Sequence, residues 1–191
     1  MKRQIKAALV VFIIITTLTG IAYPLVGLAI GQAFFRDSAN GSLVKIGRTT
    51  VGSSLIAQPF TSPKWFWPRP SATGFAGNAS GASNLSLSNP ALAARIAKLA
   101  AQYRKVNHLG PHFLVPADAV TESASGLDPD ISIANALEQA QRVAKARHLP
   151  LATIHRLIAK TTQNEPTWLF GRNVVNVVLL NLSLVGKSGG T

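Results

Sequence analysis

Between Ala7 and Ile30 the chain reads AALVVFIIITTLTGIAYPLVGLAI, 24 residues without a charged side chain. At about 1.5 Å per residue this stretch makes a helix of about 36 Å, enough to cross the roughly 30 Å hydrocarbon layer of a bilayer with some tilt. Thr16, Thr17 and Thr19 are tolerable in such a helix because each hydroxyl can bond back to a carbonyl of the preceding turn. Pro24 has no N–H and should kink the outer end. A cleavable secretory signal is the competing reading, with Ala29, Ile30 and Gly31 offering small residues for cleavage. The apolar stretch, however, is nearly twice as long as the usual roughly 7–15 residues of a signal, so a retained anchor is expected. Lys2, Arg3 and Lys6 precede it, whereas Arg36 follows beside Asp37. By the positive-inside bias residues 1–6 stay in the cytoplasm, residues 7–30 cross, and residues 31–191 lie outside.

The 191 residues leave room for one soluble domain behind the span, and a domain of roughly 160 residues buries about 70% of its unfolded surface. Cysteine is absent, which excludes disulfide frameworks, thiolate catalysis and Cys-ligated zinc. The net charge of +12 raises the question of nucleic acid. Sixteen basic residues follow the span, but they spread over three expected helices. The cluster Trp65-Phe66-Trp67 has only Lys64 and Arg69 beside it. A nucleic-acid surface needs basic groups and aromatics interleaved on one face, so no nucleic-acid partner is expected. The aromatics belong at a membrane interface or a partner contact.

The elements of the soluble part mix helix and strand. Ser42 to Phe60 carries short apolar runs between glycines and reads as short strands or an irregular β segment. Asn89-Pro90 starts a helix, with Leu92, Ile96, Leu99, Tyr103 and Val106 as its apolar stripe. Phe113 to Pro116 is extended. Asp128-Pro129 or Ser132 caps a second helix that runs to about His148, with Ile133, Leu137, Ala140, Val143 and Ala144 inward. A third helix covers Leu151 to Thr162, with Leu151, Ile154, Leu157, Ile158 and Thr161 inward, and Asn173 to Leu184 reads as a terminal strand interrupted by Asn176 and Asn181. The expected class is α+β: one N-terminal transmembrane helix followed by a single α+β soluble domain.

Reactive constellations are scarce. His108 and His112 straddle Gly110-Pro111 and cannot share a helical face, and His148 and His155 sit beside Arg147 and Arg156, so no metal site is expected. Asp118, Glu122, Asp128, Asp130 and Glu138 form the one close carboxylate group, where capping is the commoner use than acid–base work. Gly186-Lys187-Ser188 imitates the end of a phosphate loop, but Asn181 stands where its first glycine should be. No catalytic residue is assigned.

Seven blocks in order take the reading further: Gly52 to Gln58, Arg69 to Ala72, Ser80 to Leu85, Ser88 to Pro90, Val115 to Thr121, Ser125 to Pro129, and Arg172 with Asn176-Val177 and Leu180 to Leu182. They resemble the successive signatures of the KdpC family, the small subunit of the bacterial Kdp potassium-transporting P-type ATPase, over essentially the whole chain. Ala82, Ser86-Leu87, Trp67 and Ile133 depart from the usual pattern. On this resemblance Lys64 to Leu92 is an ordered loop rather than a linker. The resemblance implies a non-catalytic subunit with no cofactor of its own. It would assemble in the cell inner membrane with the ATP-hydrolysing P-type subunit and the channel-like potassium-translocating subunit. It also implies a catalytic chaperone that raises the pump subunit's affinity for ATP, with Ser80, Gly81, Ser83 and Asn84 as nucleotide contacts. Partner contacts are expected at Trp65, Trp67, Arg69, Asp118 and Asp128.

Two mechanisms fit. In one, the outer domain docks over the entrance of the channel-like subunit and acts on ATP affinity allosterically. In the other, the domain is cytoplasmic and the Gly/Ser loop holds ATP phosphates through backbone N–H groups. The charge bias favours the first, because ATP is cytoplasmic and the loop would be outside. An anchored or secreted basic binding protein unrelated to a pump is the reading from another class. The excess of basic over acidic residues outside would repel a bare cation, which favours a scaffold or lid over an ion attractor.

Overall fold

The computed structural model describes residues 1–163 and 171–187. They fall into two compact units, Met1–Val51 and the chain from Gly52 onward.

In the first unit, helix α1 (Lys2–Thr17) passes through a π-helical turn (Leu18–Ala22) into α2 (Tyr23–Phe34). The 33-residue helical stretch has no buried residue and is long and apolar enough to cross a membrane. The π turn lies just before Pro24, where the proline ring would meet the carbonyl of Gly20, and the wider turn relieves that clash. Thr19 donates to the Ile15 carbonyl at 2.8 Å, so its hydroxyl is satisfied within the helix. A short helix α3 (Arg36–Ala39) and strands β1 (Leu43–Ile46) and β2 (Thr49–Ser53) follow, the strands pairing as a two-stranded sheet.

The second unit holds helix α4 (Pro90–Val106), a 3-10 turn (Ala117–Ala119), β3 (Asp130–Ser132), α5 (Ile133–Arg147), α6 (Leu151–Thr161), β4 (Thr162–Gln163), β5 (Val174–Asn176) and α7 (Val177–Ser183). The class is α+β, as expected. Strand β5 is central in an antiparallel sheet of order β3-β5-β4, which sets Ile131 opposite Val175 and Thr162 opposite Val175. Helices α5, α6 and α7 close over it. Ile131, Ala140, Val143, Ile154, Ile158, Val175, Leu180 and Leu184 share one core with Phe66, which comes from the long loop.

The caps fall where the side chains dictate. Asn89 accepts from Ala91 N at 2.9 Å and Ser132 accepts from Asn135 N at 3.0 Å, so Ser132, one of the two expected alternatives, starts α5. Helix α5 ends at His148 in the left-handed conformation, and Pro150 begins α6.

Three expectations are corrected. Asn173–Leu184 is not one strand: after Val174–Asn176 the chain turns into α7 because Asn176 accepts from Leu179 N at 3.1 Å as an N-cap. Val177, Val178, Leu180 and Asn181 then bury one helical face. Leu137 and Leu151 are exposed rather than inward. In α5 the buried face is rotated so that Asn135, Gln139 and Arg142 go inside with Ala136, Ala140 and Val143.

At the β3 end, burial raises the Asp130 carboxyl above its usual range, the nearby Asp128 charge adds to this, and a hydrogen bond with Asn176 opposes it. A carboxyl whose folded pKa exceeds its unfolded one supports the fold while protonated and loses that support as pH rises through the raised value. Asp130→Asn should therefore raise the thermal midpoint at neutral pH. The gain should vanish as pH falls below about 4, where the carboxyl is protonated in both states. Circular-dichroism melts of the detergent-solubilised chain across that range check the sign.

Candidate functional site

Residues 54–89 contain neither helix nor strand, yet they are tightly held. Two carboxamides clasp consecutive peptide units. Asn181 on α7 accepts from Phe66 N at 2.8 Å and donates to Phe66 O at 2.9 Å. Gln139 on α5 accepts from Trp67 N at 2.8 Å and donates to Trp67 O at 3.1 Å. Each amide thus takes the place of a strand neighbour.

Two arginines complete the hold. Arg142 donates to Pro63 O at 2.7 Å, Trp65 O at 2.9 Å and Asn107 Oδ1 at 2.9 Å, and lies 4.9 Å from the Trp67 ring centroid. Arg147 donates to Lys64 O and Leu184 O and covers the Trp65 ring at 4.2 Å. Burial brings the Arg142 guanidinium down to about 10, with the nearby Tyr103 pulling the other way, so it stays charged at neutral pH. Burial raises the Tyr103 phenol far above its usual range, the charges of Glu138 and Asp118 adding to the effect. Its hydroxyl donates to Asn135 Oδ1 at 2.8 Å.

The expected partner residues all engage this scaffold. Trp65 packs at 6.0 Å on Phe60, and Trp67 donates its indole N–H to Ser62 O at 3.1 Å. Arg69 pairs with Asp128 at 3.1 Å and donates to Glu122 O at 3.2 Å. Asp118 accepts from Ser132 N, Ser132 Oγ and Asn135 Nδ2 at 2.8–2.9 Å, fixing the start of α5. Trp67 and Arg69 also line a cleft of about 390 Å³ with Phe60, Phe75, Leu99 and Tyr103. Its size and aromatic lining suit an inserted apolar group. Trp65, Asp118 and Asp128 are not among its lining residues.

The expected nucleotide residues lie elsewhere. Gly81 N donates to Ser125 O at 3.0 Å, and Ser83 N donates to Glu122 Oε2 at 3.3 Å. Glu122 also pairs with Arg95. Ser80 and Asn84 are exposed, and Ser83 and Asn84 border a separate cavity of about 290 Å³ with Glu122 in its wall. A carboxylate thus accepts from the Ser83 N–H. Gly126 binds the two loops together: its φ is +69°, and a Cβ there would fall 2.6 Å from Thr73 Oγ1 and 2.9 Å from Gly81 O.

All four histidines are exposed, and among the described residues no group of His, Asp and Glu is placed to hold a metal. In the imitation phosphate loop, Gly186 and Lys187 follow α7, and Ser188 lies outside the described residues. Sequence reasoning missed Asn135, Gln139, Arg142 and Asn181. The signal was present in the first three, which stand at i, i+4 and i+7, the spacing of a buried helical stripe.

This arrangement defines a class of protein: an α+β domain behind one long apolar helix, its buried polar groups holding a long loop in place. The match to known proteins is more particular. The family model described as KdpC, K+-transporting ATPase, c chain, covers residues 5–185. Relatives named potassium-transporting ATPase KdpC subunit match nearly end to end. The one from Mycobacterium tuberculosis is 45% identical over 96% of this chain and 98% of its own. That from Sorangium cellulosum is 47% identical over 97% and 99%, and that from Serratia proteamaculans 46% over 94% and 96%. The chain belongs to the KdpC family.

Gln139→Leu would strand both Trp67 peptide groups and an N–H of Arg142, while Asn135 Oδ1 keeps its bond from Tyr103. Each orphaned buried group costs about 1–3 kcal/mol, so the variant should lose more than about 3 kcal/mol and show red-shifted tryptophan emission in urea titrations. The exposed change Leu137→Gln should stay within about 0.5 kcal/mol.

Proposed function

We propose that the chain is the small accessory subunit of a Kdp-type, ATP-driven potassium uptake complex in the cell inner membrane. In this reading residues 1–6 are cytoplasmic, the helix through residues 7–30 crosses the membrane, and residues 31–191 lie outside. It contributes no catalytic residue or cofactor. Its partners are the ATP-hydrolysing P-type subunit, where ATP is bound, and the channel-like potassium-translocating subunit. The near end-to-end match to potassium-transporting ATPase KdpC subunits carries the proposal.

Within it, the domain stabilises the assembly and raises ATP affinity as a chaperone acting at a distance. Two observations support the allosteric route over direct ATP contact. Basic residues Lys2, Arg3 and Lys6 flank the inner end of the helix. Glu122 occupies the Ser83 N–H in the Gly/Ser loop, where a phosphate would also meet its negative charge. A coupling of about 1–3 kcal/mol gives a 5- to 150-fold change in affinity, well within what a docked domain supplies. The cleft bordered by Trp67, Arg69 and Leu99 is the proposed contact, receiving an apolar side chain of a partner subunit.

Two measurements test this. Leu87 is 96% exposed in a chain without cysteine, so Leu87→Cys should react with an impermeant maleimide in intact cells. Reaction only after permeabilisation would reverse the orientation and return attention to Ser80–Asn84. Leu99→Trp should fill the cleft, reduce co-purification with the pump subunits and weaken ATP binding by the complex within the 5- to 150-fold range. Ala97→Trp, on the exposed side of the same helix, should leave both unchanged.

A further inference from the structure

The end of the apolar helix carries a surface that the cleft does not account for. At about 1.5 Å per residue, the 33 residues of Lys2–Phe34 extend about 50 Å. That exceeds the 40–45 Å of a bilayer with its headgroups. With Lys2, Arg3 and Lys6 at one face, Phe34 reaches the polar layer of the other. There the chain does not leave directly. Helix α3 folds it back: Gln32 and Asn40 exchange two side-chain hydrogen bonds of 3.3 Å, and the Ala39 methyl lies 3.6 Å from where a Cβ on Gly31 would be. Strands β1 and β2, to Val51, then belong to the same compact unit as the helix.

This hairpin is poorly provided for as a water-exposed element. A two-stranded sheet by itself is marginally stable in water. Val44 is buried, yet Leu43 is 53% and Ile46 42% exposed, and Phe34 and Phe35 at the end of α2 are exposed as well. The charges around them are mostly basic. Arg36, Lys45 and Arg48 are exposed, and Asp37 is the one acidic residue between Met1 and Val51. Apolar side chains flanked by basic ones at the end of a membrane-crossing helix match the acyl–headgroup boundary, where anionic lipid attracts each Lys or Arg.

We propose that the hairpin Leu43–Val51 is a lipid-contacting element. Ile46, next to the hairpin turn, enters the interfacial layer, and Arg36, Lys45 and Arg48 lie on anionic phospholipid headgroups. The inference rests on the reading that residues 7–30 cross the membrane. It gives the hairpin an occupant for its exposed apolar groups and fixes the outer end of the helix at a set depth.

The test uses the full-length chain in vesicles of phosphatidylcholine alone or mixed with phosphatidylglycerol. An environment-sensitive fluorophore is placed in turn on Leu18→Cys, Ile46→Cys and Leu87→Cys, and brominated lipids serve as quenchers. The Leu18 probe should be quenched by deep bromines in both vesicles. The Ile46 probe should be quenched by shallow bromines and more strongly with phosphatidylglycerol, and the Leu87 probe in neither. Lys45→Gln and Arg48→Gln should each weaken the preference of the hairpin for anionic vesicles about fivefold. An Ile46 probe as unquenched as the Leu87 probe, with Leu18 deep, would overturn the lipid assignment. So would an Ile46 probe that becomes shielded only on addition of the pump subunits, which would make the hairpin a protein contact. Loss of quenching at Leu18 would overturn the membrane-crossing reading on which the proposal stands.

Discussion

The Phe66 side chain sits fully buried in the core, although it comes from a loop with no strand partner, and Asn181 makes this possible. An amide side chain carries one acceptor and one donor at nearly the spacing of a peptide group, so a single carboxamide can satisfy both the N–H and the C=O of one residue. Asn181 does this for Phe66, and Gln139 for Trp67 one residue later. Without them, buried peptide groups would stand unpaired at about 1–3 kcal/mol each. The placing of Trp65, and of Trp67 and Arg69 with the cleft that these two border, follows from this anchoring.

The same physics governs the charged residues. Arg142 is brought inside because it makes hydrogen bonds to Pro63, Trp65, Asn107 and Gln139, and a buried guanidinium with that many acceptors keeps its charge. Asp118, Glu122 and Asp128 each hold a backbone N–H, so their negative charge serves loop and helix termini. These contacts tie the charged side chains to the backbone of the loop and of the helix termini.

Where local rules act over a few residues, the sequence was legible. The apolar run before Ile30, the Asn89-Pro90 start of α4, the Ser132 cap of α5 and the break at Pro150 all follow from side-chain chemistry within one helical turn. The α+β class and the ordered character of Lys64–Leu92 were also readable, the latter through family resemblance. The errors share a cause. Asn176 looked like an interruption of a strand and is a helix cap. Leu137 looked like core, yet α5 turns its amides inward because a loop about 70 residues earlier in the chain needs them. Apolar periodicity cannot detect a buried polar stripe whose partners are distant in sequence.

By itself, then, the sequence determined the long apolar helix, the absence of thiol chemistry, the caps of α4 and α5 and the family. Each of these depends on composition or on contacts within a few residues. Tertiary structure alone decided what the polar stripe of α5 binds, that Asn181 and Gln139 hold Phe66 and Trp67, and that Glu122 closes on Ser83. These pairings join residues 39 to 115 positions apart. A hydrogen bond between such groups forms only once the core has brought them together, so no local pattern announces it.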